Sequence, residues 1–370
     1  MMSHSVDLPE DRRWYGLAMV AWLLVIVPPL VGADEGNTKS VDVNPEVEAV
    51  VSWRWARFDQ QDGFPVSVQA LTSTDSGVLF AGSFGQGIFR TVDRGGTWVS
   101  VGTGVTDPFI LSLTVGRDGS IYAGTLRGGV FRSRDEGATW QAVNTGLKRL
   151  QVKMLMATED ALYAGTGDGV YRFEEATNRW TVVTAGLDDV LVHALARTPD
   201  GTLYAGTSGK GVLRYAPHSS GWVRLPHGLK NQDGLIENFI RVLAIDQDNA
   251  IWAGTFDGGV FRSTDGGMTW RPISRRLPND SIRGIVLSGT DVIVATGNGI
   301  FKTSDHGKRW VAINKGLKSL SIQTLIVSAD GRLYAGTNEG VFRSDDGMAW
   351  IAVNQGLEGG PPPAPFRFQE

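Results

Sequence analysis

Short apolar runs recur along the chain at even spacing, each bounded by Gly, Asp or Asn. Four runs make a unit. The first resembles VHALA at 192–196, the second is LYAGT at 162–166, and the third is GVFRS at 340–344. The fourth opens on a Trp and carries an apolar residue three positions later. The runs are short and rich in β-branched and aromatic residues, so they read as strands. A strand-and-helix repeat would need a long stretch of period 3.6 in each unit, and none is present. The small residue of the second run falls at Gly82, Gly124, Gly165, Gly206, Gly254, Ala295 and Gly336, at intervals of 42, 41, 41, 48, 41 and 41 residues. Seven units of four strands predict an all-β, seven-bladed β-propeller of four-stranded blades over residues 51–358.

The fourth run begins at Trp98, Trp140, Trp180, Trp222, Trp270, Trp310 and Trp350. An eighth copy, WARF, stands at Trp55 before the first unit. A ring has to hide its edges, so the Trp55 strand is expected to join the last blade and tie the two ends together.

A second pattern, S/T-x-D-x-G-x-x-W, follows the third run. It places Asp93, Asp135, Asp265 and Asp305 between a Ser or Thr and a Gly, and blade seven repeats it at Asp346 one residue short. Blades three and four keep the Trp and lose the Asp. Here the chain resembles the Asp-box propellers, also called bacterial neuraminidase repeats, which implies propeller blades with Asp-box turns. The aspartates read as framework. A carboxylate in a hairpin accepts nearby backbone N–H groups, the Gly permits positive φ, and the Trp buries a face between blades. A group repeated around a ring serves each blade, whereas a catalytic group is needed once. The same holds for the cation in the third run: Arg90, Arg132, Arg172, Arg214, Arg262, Lys302 and Arg343.

Function in a propeller gathers where loops meet at one mouth of the channel. Aligning the first runs puts Gln69, Leu111, Lys153, His193, Arg241, Arg283 and Gln323 at position two. Blades three to six thus set Lys153, His193, Arg241 and Arg283 in an arc near one mouth, flanked by Gln69 and Gln323. Such an arc favours carboxylate or phosphate through charge-assisted hydrogen bonds. The opposing reading is a hydrated channel lining paired with Asp188, Asp189 or Glu237. The 48-residue interval places about seven extra residues in 227–239, just before Arg241. They are either a specificity element or an idle insertion, which costs little.

Composition narrows the classes. The 370 residues are 42% hydrophobic and 20% charged, as in packed soluble proteins, and 48 glycines foretell many tight turns. A formal net charge of −4 and the N-terminal pattern argue against nucleic acid. With no cysteine, thiolate sites and disulfides are excluded. The five histidines show no ligand spacing, so neither metal nor cofactor is expected. Arg12 and Arg13 precede an apolar run at 16–27, then Pro28 and Pro29, with Val31 and Ala33 where a signal peptidase wants small residues. Residues 1–33 read as a signal peptide cleaved after Ala33; the alternative is an uncleaved anchor, the one way a membrane enters. Residues 34–50 form a polar linker and 359–370 a Pro-rich tail. The propeller would lie outside the cytoplasm, in the periplasm or secreted.

The seven units, the N-terminal signal, the Asp turns and the basic arc resemble the seven-bladed photosystem II assembly and stability factors. That resemblance implies a non-catalytic interaction propeller binding a protein or peptide partner, here an acidic one. Carrying over that family's arginine patch reaches Arg241 and Arg283, with Lys153 as a substitute. A sialidase is the enzymatic alternative, but the chain lacks an Arg-Ile-Pro phrase, and six of its seven tyrosines fall at repeat-equivalent strand positions. Xyloglucanase-type enzymes use two such propellers, and this chain has room for one. A carbohydrate-binding propeller is a third reading, with Phe84 and Phe256 as platforms.

Overall fold

In the computed structural model, residues 66–358 are described, apart from 184–185, 226–228, 231–235 and 275–276. The Trp55 strand, the 1–33 and 34–50 segments and the 359–370 tail lie outside the described residues. Each repeat forms one antiparallel sheet whose four strands are ordered as in the chain, and seven such sheets follow one another. The first strands are Val68–Ser73, Ile110–Val115, Val152–Ala157, Val192–Arg197, Ile240–Ile245, Ile282–Ser288 and Ile322–Val327. They touch in succession, and the seventh touches the first, so they ring the centre. This is a seven-bladed propeller, with no helix among the described residues.

The repeated small residue is explained by how closely blades approach. A Cβ at Gly82 would lie 2.4 Å from Ile110 Cγ2 of the next blade, and one at Gly254 would lie 2.4 Å from Ile282 Cγ2. At the ring seam a Cβ at Gly336 would lie 2.8 Å from Val68 Cγ1. Six of the second strands are fully buried, as expected for strands covered by blades on both faces, and in blade six only the leading Asp291 is partly exposed. Blade six alone carries Ala295 at this site, and its register partner on the first strand is Gly284.

In five blades the Trp of the fourth run ties the blade to the one before. The indole N–H donates to Val353 O (2.7 Å) from Trp98, Val101 O (2.6 Å) from Trp140, and Val143 O (2.7 Å) from Trp180. Trp310 donates to Ile273 O (2.9 Å) and Trp350 to Ile313 O (2.6 Å). The Trp98 bond crosses from blade one to blade seven. Blade seven also has its own fourth strand, Ile351–Ala352. The described residues therefore close the ring by blade-to-blade contact. The Trp222 and Trp270 indoles, either side of blade four's outer edge, have no hydrogen-bond partner among the described residues.

The Asp turns are self-contained. Asp93 accepts from Thr91 Oγ1 (2.6 Å) and Thr97 N (2.8 Å). Asp135 and Asp265 repeat the pattern with Thr139 and Thr269, and Asp305 with Thr303 and Arg309. Blade seven, one residue short, compensates: Asp346 accepts from Met348 N (2.8 Å) and Ala349 N (2.9 Å). The residue after each Asp in blades one, two and six is left-handed: Arg94 (φ 62°), Glu136 (φ 52°) and His306 (φ 58°). The third-strand cations also join blades, as Arg90 to Glu136 (3.1 Å) and Arg132 to Glu175 (3.2 Å). Among the described residues no cluster of His, Asp or Glu is arranged to hold a metal.

Candidate functional site

All seven first strands carry a register irregularity at position two. Val68 pairs with Ser83 and Ala70 with Gly82, which leaves Gln69 without a register partner. The same break leaves out Leu111, Lys153, His193, Arg241, Arg283 and Gln323. A β-bulge leaves its extra residue outside the ladder and re-aims that side chain. Each blade therefore turns one side chain out of its sheet at the same level near the starts of the inner strands. The sequence alignment fixed which residues these are; the backbone feature that sets them apart was not visible in it.

Four of the seven interact as one electrostatic group. Burial pulls the Lys153 ammonium down to about 8, with Arg241 adding repulsion. His193 falls to about 3 through burial, then Lys153 and Arg241, so it is neutral at physiological pH. Arg241 falls to about 10 through burial and the Arg283 charge, and burial lowers Arg283. Water still reaches each side chain, since all four are partly exposed. Protein nevertheless encloses them around the bore, and enclosure governs how well a charge is solvated.

Several of their hydrogen bonds go to neutral groups. His193 Nε2 lies 2.5 Å from Ser208 Oγ. Arg241 donates to Ser281 Oγ (3.3 Å), and Arg283 to Ser321 Oγ (3.2 Å) and Ile322 O (3.3 Å). Arg283 Nε is buried without a partner. Of the carboxylates expected to neutralise the arc, Asp189 pairs instead with Arg149 at 2.9 Å, while the Glu237 side chain lies outside the described residues.

Gln69 and Gln323 do not join the cationic group. Gln69 donates to Ser67 Oγ (2.9 Å) and Gln323 to Asn338 Oδ1 (2.7 Å), while Ser67 donates to Asn338 (3.2 Å). They form a neutral net across the seam of blades seven and one. Ser67, Ser281 and Ser321, each just before a first strand, were not singled out by sequence reasoning. Their shared place in the repeat is the signal that could have found them.

The insertion is only partly a mouth element. It includes a two-stranded hairpin, Leu229–Lys230 with Ile236–Glu237, and Leu229 is buried in the core of blades four and five. It returns to the mouth at Asn238, whose carbonyl accepts from Gly209 N and Gly211 N, both at 3.0 Å.

On the opposite rim, a cavity of about 590 Å³ lies at the blade seven–blade one seam, lined by Asp75, Asp93, Arg94, Asp330 and Tyr334 among others. Hydrogen bonds from Thr91 and Thr97 hold Asp93 below the usual carboxylate range. A bond from Ser328, with the Arg332 charge, does the same for Asp330. Elsewhere Tyr122 donates to Glu175 Oε1 (2.6 Å), an arrangement that resembles a tyrosine nucleophile with its carboxylate. Tyr122 is only 1% exposed, and burial together with Glu175 raises its pKa, the opposite of activation.

The fold and the bulge-borne arc define the class: a seven-bladed propeller with a basic channel mouth. Residues 50–295 match the DUF6242 beta propeller domain, and the chain belongs to that family. No curated protein matches it in sequence. Among solved structures it is similar to the extracellular domain of a putative one-component system from B. thetaiotaomicron (TM-score 0.63, 19% identity, 77% of this chain and 39% of that one). It is also similar to a GH74 enzyme of Niastella koreensis (TM-score 0.61, 15% identity, 80% of this chain and 55% of that one). A third is YCF48 bound to a D1 peptide (TM-score 0.60, 14% identity, 76% of this chain and 93% of that one). The chain thus spans about two fifths and just over half of the first two proteins. Its neighbours include enzymes and non-enzymes, and at these identities the likeness is one of fold.

Proposed function

We propose that the domain is a non-catalytic, extracytoplasmic interaction propeller whose channel mouth binds an acidic peptide segment. The observation that carries this reading is the group of Lys153, His193, Arg241 and Arg283 at one bulge register, with burial and mutual repulsion disfavouring their charged forms. An incoming carboxylate would relieve both effects and add charge-assisted hydrogen bonds. In this reading residues 1–33 direct export or anchor the chain, 34–50 link, 51–358 form the propeller with Asp-box turns, and 359–370 trail from it. A YCF48 structure holding a D1 peptide and an extracellular domain of the same fold are compatible with such a role.

The test is fluorescence anisotropy with an Asp/Glu-rich peptide capped at both ends. Arg241→Glu with Arg283→Glu should weaken binding about tenfold or more, since each charge-assisted contact contributes about 1.5–3 kcal/mol. Affinity should fall with salt. Unchanged binding at low salt by a folded double variant would reduce the arc to a hydrated lining.

A glycosidase is the second reading, favoured by the GH74 neighbour and the acidic cavity at the seam. Glycoside cleavage needs a carboxyl whose pKa is raised to serve as acid. The perturbed carboxyls lining that cavity are held low. Turnover of a β-glucan or sialoside that a single carboxyl or Tyr substitution abolishes would establish the enzyme.

A further inference from the structure

Two aromatic–cation clusters stand at the mouth that carries the basic arc. In the first, Phe84 follows the second strand of blade one and Phe109 leads into the first strand of blade two. Their rings meet edge to face at 4.8 Å, and Arg127 Cζ sits 5.2 Å from the Phe109 centroid. In the second, Phe239 leads into the first strand of blade five and Phe256 follows its second strand. Phe256 N donates to Phe239 O (3.1 Å), and Arg241 Cζ sits 5.0 Å from the Phe256 centroid. Phe84, Phe239 and Phe256 are 44%, 52% and 40% exposed. All four rings occupy loops at the arc's end of the blades, and Arg241 belongs both to the arc and to the second cluster.

Topology fixes where the clusters stand. From the junction of blades one and two to the middle of blade five is half of a seven-blade ring. The clusters therefore face each other across the mouth, with Lys153 and His193 of blades three and four on one side between them, Arg241 within the second cluster and Arg283 of blade six just beyond it. Exposed Phe rings grouped beside cations are costly in water and suited to a partner with both apolar and anionic groups.

We infer that the mouth binds an extended peptide lying across the channel, with an acidic side chain over the arc and an aromatic or large aliphatic side chain on each Phe cluster. Charge complementarity selects the acidic centre. The opposed clusters select a chain long enough to reach both, which a lone small anion is not. This rests on the proposed peptide-binding function and specifies its partner.

The test uses the full chain and end-capped peptides in which one Asp is flanked by two Phe or two Ala, over a set of spacings. At the best spacing the Phe-flanked peptide should bind about tenfold more tightly than the Ala-flanked one. Phe84→Ala and Phe239→Ala should each remove most of that gain and leave the Ala-flanked peptide unaffected. Both rings are exposed, and a melting curve checks that each variant folds. Equal binding of the two peptides at every spacing, with binding still lost in the Arg241→Glu, Arg283→Glu protein, would overturn the two-cluster reading and leave the acidic-peptide function standing. No binding of any acidic peptide would overturn both. Binding of a β-glucan oligosaccharide that needs Phe84 and Phe256 but not the arginines would also overturn the inference, in favour of a sugar platform.

Discussion

Replacing Lys153 by Met should stabilise the propeller. The ammonium is held at about 8 against an ordinary 10.5, first by burial and then by Arg241. That fall corresponds to about 3 kcal/mol of unfavourable environment for the charged amine at neutral pH. Channel water screens part of it, so a gain of about 1–2 kcal/mol is the working figure. Met keeps most of the side-chain stem, and for a chain of this size the gain should raise Tm by roughly 1.5–3 °C. The pH dependence has a definite sign. Between about 8 and 10.5 the unfolded chain binds this proton and the folded protein has released it, so wild-type stability climbs with pH across that window. The cost is fully present below about 8 and absent above 10.5. The advantage of Lys153→Met should therefore shrink from pH 8 upward and vanish near pH 10.5, read by denaturant titration of both proteins in parallel. A less stable variant at pH 7, or a gap that does not change with pH, would refute the reasoning and mean that a nearby group compensates the charge.

Three further expectations follow from the framework. Asp265→Ala removes an acceptor bonded to Ser263, Thr269 N and Thr269 Oγ1, and should cost about 1 kcal/mol because the turn is water-exposed; Asp265 is held at about 2, so the difference from wild type should fade as pH drops from 4 towards 2. Trp98→Phe strands a buried Val353 carbonyl, whereas Trp222→Phe removes an N–H without a partner, so by thermal melting the first should cost at least about 1 kcal/mol more. If residues 1–33 are a cleaved signal, N-terminal sequencing of the exported protein should begin at Asp34, and an intact Met1 in the cytoplasmic fraction would contradict export.

The repeat made the blades legible because ring symmetry asks nearly the same contacts of every blade. Gly82 and its equivalents must admit a β-branched residue of the next blade, and Trp98, Trp140, Trp180, Trp310 and Trp350 reach a carbonyl of the previous one. The identity of the arc was legible for the same reason, through alignment of the first runs. Its grouping was not: Gln69 and Gln323 share the register but bond into the seam net, a matter of which neighbours stand beside them. The bulges were hidden because a skipped register partner leaves no mark in a run of alternating residues. Phe109 and Phe239 escaped because each gains meaning only from a residue that folding brings beside it, Phe84 of the previous blade through its ring and Phe256 after the second strand through a backbone hydrogen bond. Of the carboxylates expected near the arc, Asp189 pairs with Arg149.

The most direct measurement is proton uptake on binding. An acidic peptide seated over the arc must raise the Lys153 pKa, because a nearby anion favours the ammonium. Calorimetric titration at pH 8, repeated in two buffers of different ionisation enthalpy, reports the protons taken up. The account predicts uptake approaching about half a proton per peptide, since Lys153 is about half neutral at that pH in the free protein, and none in Lys153→Met. Binding with no uptake, or with the same uptake in the Met variant, would place the peptide away from the arc and contradict the account.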